Sequence, residues 1–247
     1  MHKILHKPML LLLLTVLAGP LSAQDGEKNP DPWQGMNRAV FKFNDFTDRY
    51  LLKPVAQGYV KVLPGVVRQG IGNFFTNLGT PAVALNQLLQ GKPKDALSDT
   101  GRFFVNTTIG LGGFIDVGTK VGLPSHQEDF GQTFGVWGVP SGQYLVLPFM
   151  GSSSVRDGVG QVLSTFTNPI GYLSLERERY PVAALYVIDL RADLLSAEAL
   201  IIGDEYLFLR DAYLQRRKFL VNDGELEDDP FADDGFGDDD FDEDDFE

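Results

Sequence analysis

Residues 102–151, RFFVNTTIGLGGFIDVGTKVGLPSHQEDFGQTFGVWGVPSGQYLVLPFMG, are where helical periodicity stops. Gly110, Gly112, Gly113, Gly118, Gly122, Gly131, Gly135, Gly138 and Gly142 interrupt any long regular element. Glycine weakens a helix interior and supplies the positive φ that tight turns need. Between the glycines stand Phe114, Phe130, Phe134, Trp137, Tyr144 and Phe149. This spacing predicts short helices and turns in preference to a sheet.

On either side the apolar period is helical. Asp31-Pro32 reads as a helix start, a capping residue followed by proline at the first helical position. Met36, Val40, Phe43 and Tyr50 then fall on one helical face. Pro54 and Pro64 punctuate the next stretch, and Val67, Ile71, Phe74 and Leu78 form a second amphipathic segment. Thr80-Pro81 repeats the cap-plus-proline signal, and Gly91 closes that helix. Further helices are predicted over 93–109, 154–166, 181–200 and 203–221, the last ending in Arg216, Arg217 and Lys218, which complement the helix dipole. With no sustained strand alternation, the fold class is mainly α. No run beyond residue 23 has 18 uninterrupted apolar residues, so no ordinary transmembrane helix is expected. Amphipathic, Phe-rich helices can lie in a bilayer interface or pack on one another. Pattern alone favours a packed helical domain.

The two ends differ from the middle. Lys3 and Lys7 precede an apolar run from Met9 to Leu17, followed by Gly19, Pro20, Ser22 and Ala23, the layout of a secretory signal peptide cleaved after Ala23. Leu21-Ser22-Ala23 would suit a bacterial lipoprotein signal, but the next residue is Gln24, so export without lipidation is expected. Residues 24–30 read as linker. At the other end, 222–247 hold 15 acidic and no basic residues, leaving 19 acidic against 21 basic in the first 221. The folded part is therefore near neutral, and its charge does not suit nucleic acid. Such a tail cannot build a core and is expected to be disordered. Phe231, Phe236, Phe241 and Phe246 recur every five residues in it, a spacing that suits either incidental aromatics or repeated docking on a basic partner.

Signals for catalysis are weak. The chain has no cysteine, which excludes disulfides, thiolate nucleophiles and zinc–thiolate sites. Beyond the signal the one histidine is His126, near Glu128 and Asp129, and a transition-metal site usually needs more His or Cys. Ser152, Ser153 and Ser154 follow Gly151 without a Gly-x-Ser-x-Gly elbow. Gly110-Leu111-Gly112-Gly113 follows a helix and lacks the third glycine of a dinucleotide fingerprint. No cofactor is expected. Tyr144 to Met150, YLVLPFM, is apolar between Gly142 and Gly151; by itself it reads equally as a buried core segment or as a hydrophobic hairpin loop that contacts acyl chains.

Several of these segments occur in a recognisable order. Asp31-Pro32 with Asn37, Arg38 and Phe41, then RFFVNTTIGLGGFIDV (102–117), EDFGQTFGVWGV (128–139), GQYLVLPFMG (142–151), Arg156-Asp157 and DAYLQRRKFL (211–220) resemble the MlaA/VacJ family. The resemblance spans roughly residues 31–224. It implies a ring of amphipathic helices over 31–221 lying in the inner leaflet of an outer membrane, around a channel that lets misplaced phospholipid leave the outer leaflet. It further implies transfer to a periplasmic carrier similar to MlaC, association with an outer-membrane porin, and no enzymatic activity. It points to Gly142, Tyr144, Leu145, Val146, Leu147, Pro148 and Phe149 as the loop beside the channel. Asn37, Arg38, Phe41, Gly112, Gly113, Asp116, Arg156 and Asp157 are its other motif residues. The alternatives are a periplasmic adaptor that binds a porin without moving lipid, and a lipid hydrolase. Lipoprotein members carry a Cys after the signal, where this chain has Gln24.

Overall fold

The computed structural model describes residues 29–172 and 176–225, so the signal segment and nearly all of the acidic tail lie outside the described residues. The protein is mainly helical. Helix α1 (Gln34–Thr47) continues through a π-helical turn (Asp48–Leu52) into α2 (Lys53–Val62). The wide turn lies just ahead of Pro54, where it relieves the clash of the ring with the preceding turn without ending the helix. Leu63 is extended (ψ 128°), as the residue before Pro64 prefers. Helix α3 (Gly65–Leu89) is followed by α4 (Pro93–Thr108) and the short α5 (Val117–Lys120) and α6 (Phe130–Val136). Strands β1 (Tyr144–Leu147) and β2 (Gly151–Ser154) precede α7 (Val155–Thr167), a 3-10 turn (Pro169–Tyr172), α8 (Glu176–Asp193), a second 3-10 turn (Ala197–Leu200) and α9 (Glu205–Val221).

Three expectations need correction. Asp31 does not cap a helix: α1 begins at Gln34 behind Trp33, and Asp31 is buried as an acceptor. Thr80-Pro81 does not start one either, because both lie inside the 25-residue α3. Pro81 leaves the Asn77 carbonyl without its helical donor, at a cost of about 3 kcal/mol, but packing of α3 along α4 and α8 outweighs that local preference. Finally, the Gly-punctuated centre contains a two-stranded antiparallel hairpin with Tyr144 opposite Ser154 and Leu147 opposite Gly151. Tyr144–Leu147 is a short, wholly apolar run, which periodicity alone does not distinguish from other buried structure, and the bend is made by Phe149 and Gly151 at φ 63° and 80°.

Burial is inverted relative to an ordinary soluble domain. Among the described residues, sixteen polar or charged side chains are buried against nine apolar ones. Asp31, Asn37, Asn86, Gln87, Asp99 and Asp157 are each at most 5% exposed. Large apolar side chains lie outside: Tyr50 is 74% exposed, Val66 78%, Leu97 74% and Ile202 83%. Of the four side chains on that face of the first helix, Met36, Phe43 and Tyr50 are exposed, while Val40 packs partly buried against the cluster of Tyr144, Val146 and Tyr206. Such contiguous apolar surface is rare on a protein that meets only water. No helix among the described residues is long and apolar enough to cross a membrane.

Candidate functional site

The hairpin is held by side-chain amides. Asn37, fully buried on α1, donates to the Tyr144 carbonyl (3.0 Å) and to Asp31 Oδ1 (2.8 Å), and its Oδ1 accepts from the Val146 amide (2.9 Å). Two helical turns on, Asn44 repeats the pattern: Nδ2 donates to the Leu147 carbonyl (2.9 Å) and Oδ1 accepts from the Phe149 amide (2.8 Å). The Pro30 carbonyl accepts from the Tyr144 amide (3.1 Å). The free edge of β1 is thus paired by one carbonyl and two amide side chains, which answers its unpaired N–H and C=O groups. The Tyr206 hydroxyl donates to Asp31 Oδ2. Arg38 stacks over the Tyr206 ring (4.4 Å) and pairs with Asp204, the α9 cap (2.9 Å). Phe41 meets Tyr206 edge-on (5.6 Å). Thus Asn37, Arg38 and Phe41 join α1, β1 and α9.

Alternation along β1 divides the apolar loop. Tyr144 and Val146 point inward and form a buried cluster with Tyr206. Leu145 and Leu147 occupy the opposite face and are half-buried, while Pro148, Phe149 and Met150 form an exposed tip. Phe149 packs edge-on against exposed Phe43 (5.2 Å). Gly142 leads into the strand at φ 70°.

At the base of the hairpin lies a charged knot. Ser154 caps α7 by accepting from the Asp157 amide (3.2 Å), and Asp129 caps α6 by accepting from the Gln132 amide (2.9 Å). Arg217 of α9 joins the α6 cap to the first turn of α7, reaching Asp129 Oδ2 (2.6 Å) and Asp157 Oδ1 (3.0 Å). Arg156 Nε also donates to Asp157 (3.0 Å), as does the Tyr213 hydroxyl. Burial pushes the Asp157 carboxyl up, but the Tyr213 donor and the two guanidinium charges outweigh it and hold its pKa below the usual value. Asp129 is likewise lowered: burial opposes, and Arg217 and Gln132 prevail. Helices α6 and α7 touch at glycine, where a Cβ on Gly160 would lie 2.5 Å from the Gly131 nitrogen.

Gly112, Gly113 and Asp116 belong to another knot, seated on α3 and α4. Gly113 has φ 97°, and a Cβ there would lie 2.5 Å from that of Asn77. Asp116 accepts from Arg102 (2.5 Å) and caps α5 through the Thr119 amide (3.2 Å). Asn106 Oδ1 accepts from the amides of Val117 and Gly118 (2.8 and 2.7 Å).

Two cavities follow one another along α3. One, of about 390 Å³, lies between its first half and the end of α8, with Arg68, Asn73, Thr76 and Asp193 in its wall. The other, of about 280 Å³, has Phe75, Leu78, Val83, Ile170 and Tyr186 beside Glu128, Asp129 and Asn168. One is polar and the other mixed. His126 pairs through Nδ1 with Asp99 (2.8 Å), and no metal-holding group of three His, Cys, Asp or Glu residues occurs among the described residues. The Ser152 hydroxyl meets that of Tyr144 (2.8 Å).

The structure therefore gathers Asn37, Arg38, Phe41, the hairpin, Arg156 and Asp157 into one assembly, while Gly112, Gly113 and Asp116 stabilise a different loop. Sequence reading missed Asn44, Tyr206, Tyr213 and Arg217 as members of that assembly. The seven-residue spacing of Asn37 and Asn44 on an apolar helix was the available signal.

The family described as MlaA lipoprotein matches residues 29–220. The chain is 37% identical over 229 residues to the Escherichia coli (strain K12) intermembrane phospholipid transport system lipoprotein MlaA, covering 88% of this chain and 89% of that one. Its counterpart in Haemophilus influenzae is 36% identical over 214 residues, covering 82% and 83%. An uncharacterised protein of Rickettsia felis is 41% identical over 143 residues, or 58% and 57% of the two chains. A solved structure, described as the structural basis for maintenance of bacterial outer membrane lipid asymmetry, superposes with a TM-score of 0.68 at 36% identity, over 78% of this chain and 99% of that one.

Proposed function

The chain belongs to the MlaA lipoprotein family, and on that premise we propose that it removes misplaced phospholipid from the outer leaflet of an outer membrane. The lipid passes inward through an amphipathic passage and is handed to a periplasmic carrier similar to MlaC; a porin holds the protein in place. This is transport, with no covalent step. The helices lie as a ring in the inner leaflet.

The inverted burial carries this reading. An apolar exterior without a spanning helix suits immersion in one leaflet, where lipid tails satisfy the faces that water would not. A polar interior then provides what a headgroup needs, and the two cavities along α3 offer one polar and one mixed lining. The apolar hairpin, with Leu145, Leu147 and Phe149 free of the buried cluster, is assigned as the channel-side loop.

We assign export to a cleaved signal over 1–23. The sequence has no cysteine to acylate, so retention falls to the apolar faces and the porin.

Two measurements test the proposal. A deletion strain should accumulate outer-leaflet phospholipid, and purified protein plus carrier should deplete lipid from a defined bilayer. Normal asymmetry in the deletion strain would leave an adaptor bound to porin, and release of fatty acid or lysolipid would turn the reading to hydrolysis.

A further inference from the structure

Helix α3 runs unbroken from Gly65 to Leu89, but one of its turns is weakly bonded. Pro81 has no N–H to give to the Asn77 carbonyl, the bond that would close that turn. The Asn77 side chain adds a second shortfall: it is buried, and its Oδ1 has no partner among the described residues. Two residues before the proline stands Gly79, where a Cβ would meet no atom within 4 Å. Packing therefore does not ask for glycine at this position, whereas glycine adds backbone freedom to a helix interior. Between the two, the Thr80 hydroxyl donates back to the Thr76 carbonyl (3.0 Å), a bond of the kind that bends helices. Three departures from a stiff helix thus fall on three consecutive residues.

Each half of the helix is fastened on its own side of this turn. Ahead of it, Asn73 donates to the Phe114 carbonyl (3.2 Å) and Asn77 to the Thr107 hydroxyl (2.9 Å), and the Phe75 ring packs against Tyr186 of α8 (5.0 Å). Beyond it, Asn86 accepts from Thr133 of α6 (2.8 Å), Gln87 donates to Asp99 of α4 (2.7 Å) and Gln90 to Glu128 (2.8 Å). Residues 78–85, LGTPAVAL, carry one polar side chain, Thr80, and its bond stays within α3. A few pliant residues between two anchored segments are the layout of a hinge. The mixed cavity of about 280 Å³ lies at the same turn, with Leu78, Gly79, Ala82 and Val83 in its wall. Pockets for drug-sized ligands run to about 300–1,000 Å³, so a lipid with two acyl chains does not enter this space at its present width.

We propose that Gly79-Thr80-Pro81 is a hinge in α3, and that flexing there widens the mixed cavity to let a phospholipid pass. This rests on the transport reading and gives it a moving part. The hinge accounts for a proline and a glycine that weaken the longest helix of the described residues where neither the backbone nor a neighbouring side chain calls for them. It also separates two effects of substitution. Gly79 lines the cavity, so a methyl group there both stiffens the helix and fills space. Pro81 is exposed and lies outside the lining, so Pro81→Ala restores the missing bond and leaves the cavity wall as it is.

The test uses the full-length chain, whose lack of cysteine lets spin labels be placed at will. Val66→Cys and Leu88→Cys put one label on each half of α3 at exposed positions. The distance between them is measured by pulsed electron paramagnetic resonance in detergent, with and without phosphatidylethanolamine in the micelles. The otherwise unaltered protein should give a broad distribution that shifts when lipid is added. Pro81→Ala and Gly79→Ala should each narrow it and abolish the shift. Both should raise the unfolding midpoint, by roughly 2–4 °C for the glycine change, and slow lipid depletion from bilayers several-fold. A more stable protein that works less well is the signature of a hinge, since a merely structural turn would gain stability and keep its rate. A distribution that lipid leaves unchanged would overturn the hinge. So would wild-type depletion by Pro81→Ala with its midpoint raised, or a lowered midpoint in that variant, which would mean that no missing bond was there to restore. Failure of the unaltered protein to deplete lipid defeats the transport reading instead, because the label distances are read without transport.

Discussion

Asn37 and Asn44 treat the edge of β1 as a neighbouring strand would, each giving a donor and an acceptor to successive backbone groups. Their surroundings differ, and so should their effects. Asn37 is fully buried, and its removal strands the Val146 amide, the Tyr144 carbonyl and Asp31 Oδ1 together. Buried groups left unpaired cost about 1–3 kcal/mol each, so Asn37→Ala should lose roughly 2–5 kcal/mol. The Phe149 amide beside Asn44 is exposed and can turn to water, so Asn44→Ala should lose about 1 kcal/mol or less. Denaturant unfolding in detergent checks the pair, and amide exchange should rise at Val146 in the first variant and at Phe149 in the second. Equal losses would mean that burial does not set the value of these bonds. At this scale the sequence marked residues without showing what they touch. Asn37 and Asp157 stood in recognisable motifs, yet their partners Tyr144 and Arg217 lie 107 and 60 positions further along the chain. No local period brings residues more than a hundred positions apart into register.

The hairpin sorts its own side chains by the two-residue period of a strand. Tyr144 and Val146 build the buried cluster, whereas Leu145, Leu147 and the tip do not. Leu145→Ser with Leu147→Ser should therefore impair lipid depletion more than it impairs folding, since both side chains are only half-buried. Val146→Ser should do the reverse, lowering stability by about 2 kcal/mol and leaving activity per folded molecule intact. Transport at the wild-type rate by folded Leu145/Leu147 variants would make the loop mere scaffold. The knot at the hairpin base gives a pH dependence. The pKa values of Asp129 and Asp157 are lowered by folding. Their stabilisation is complete above the unfolded carboxylate value, near 4, and is lost as pH falls through the lower folded values. Thermal unfolding should hold steady from pH 7 to about 5 and drop below about 4. Arg217→Gln should be less stable at neutral pH and show a shallower drop, since its cation is a main reason the carboxylates stay ionised. Helix periodicity made most elements legible. It failed at Pro81, where a local start signal lost to packing along the whole of α3, and at β1, whose four residues are all apolar and carry no alternation.

For the whole molecule, the decisive feature is which side of each amphipathic helix meets protein. Periodicity reveals that Met36, Phe43 and Tyr50 share a face but assigns that face no neighbour, so pattern alone favours packing it inward. The structure turns these three outward, keeps Val40 of the same face against the Tyr144 cluster, and fills much of the interior with hydrogen-bonded polar groups. An isolated polar group is costly to bury, but a satisfied network is not. An apolar rind of this extent attaches to a membrane by area, at about 25 cal/mol per Å² removed from water. A few well-inserted aromatic and aliphatic side chains thus match a single acyl chain, whose anchoring alone is marginal and reversible. A protein with no cysteine needs no thioether lipid if these faces suffice. We therefore expect the mature chain to start near Gln24, to carry the unmodified mass by intact mass spectrometry, and to sediment with outer membranes after a high-salt wash. Salt should not release it, because the attachment is apolar and Debye screening touches only charge. Replacing exposed Phe46, Tyr50 and Leu51 together with Ser should shift part of the protein to the soluble fraction without lowering its unfolding midpoint, since these side chains are more than half exposed. Full release of wild type by salt, or an N-terminal mass increment of an acyl chain, would refute attachment by the helical faces alone.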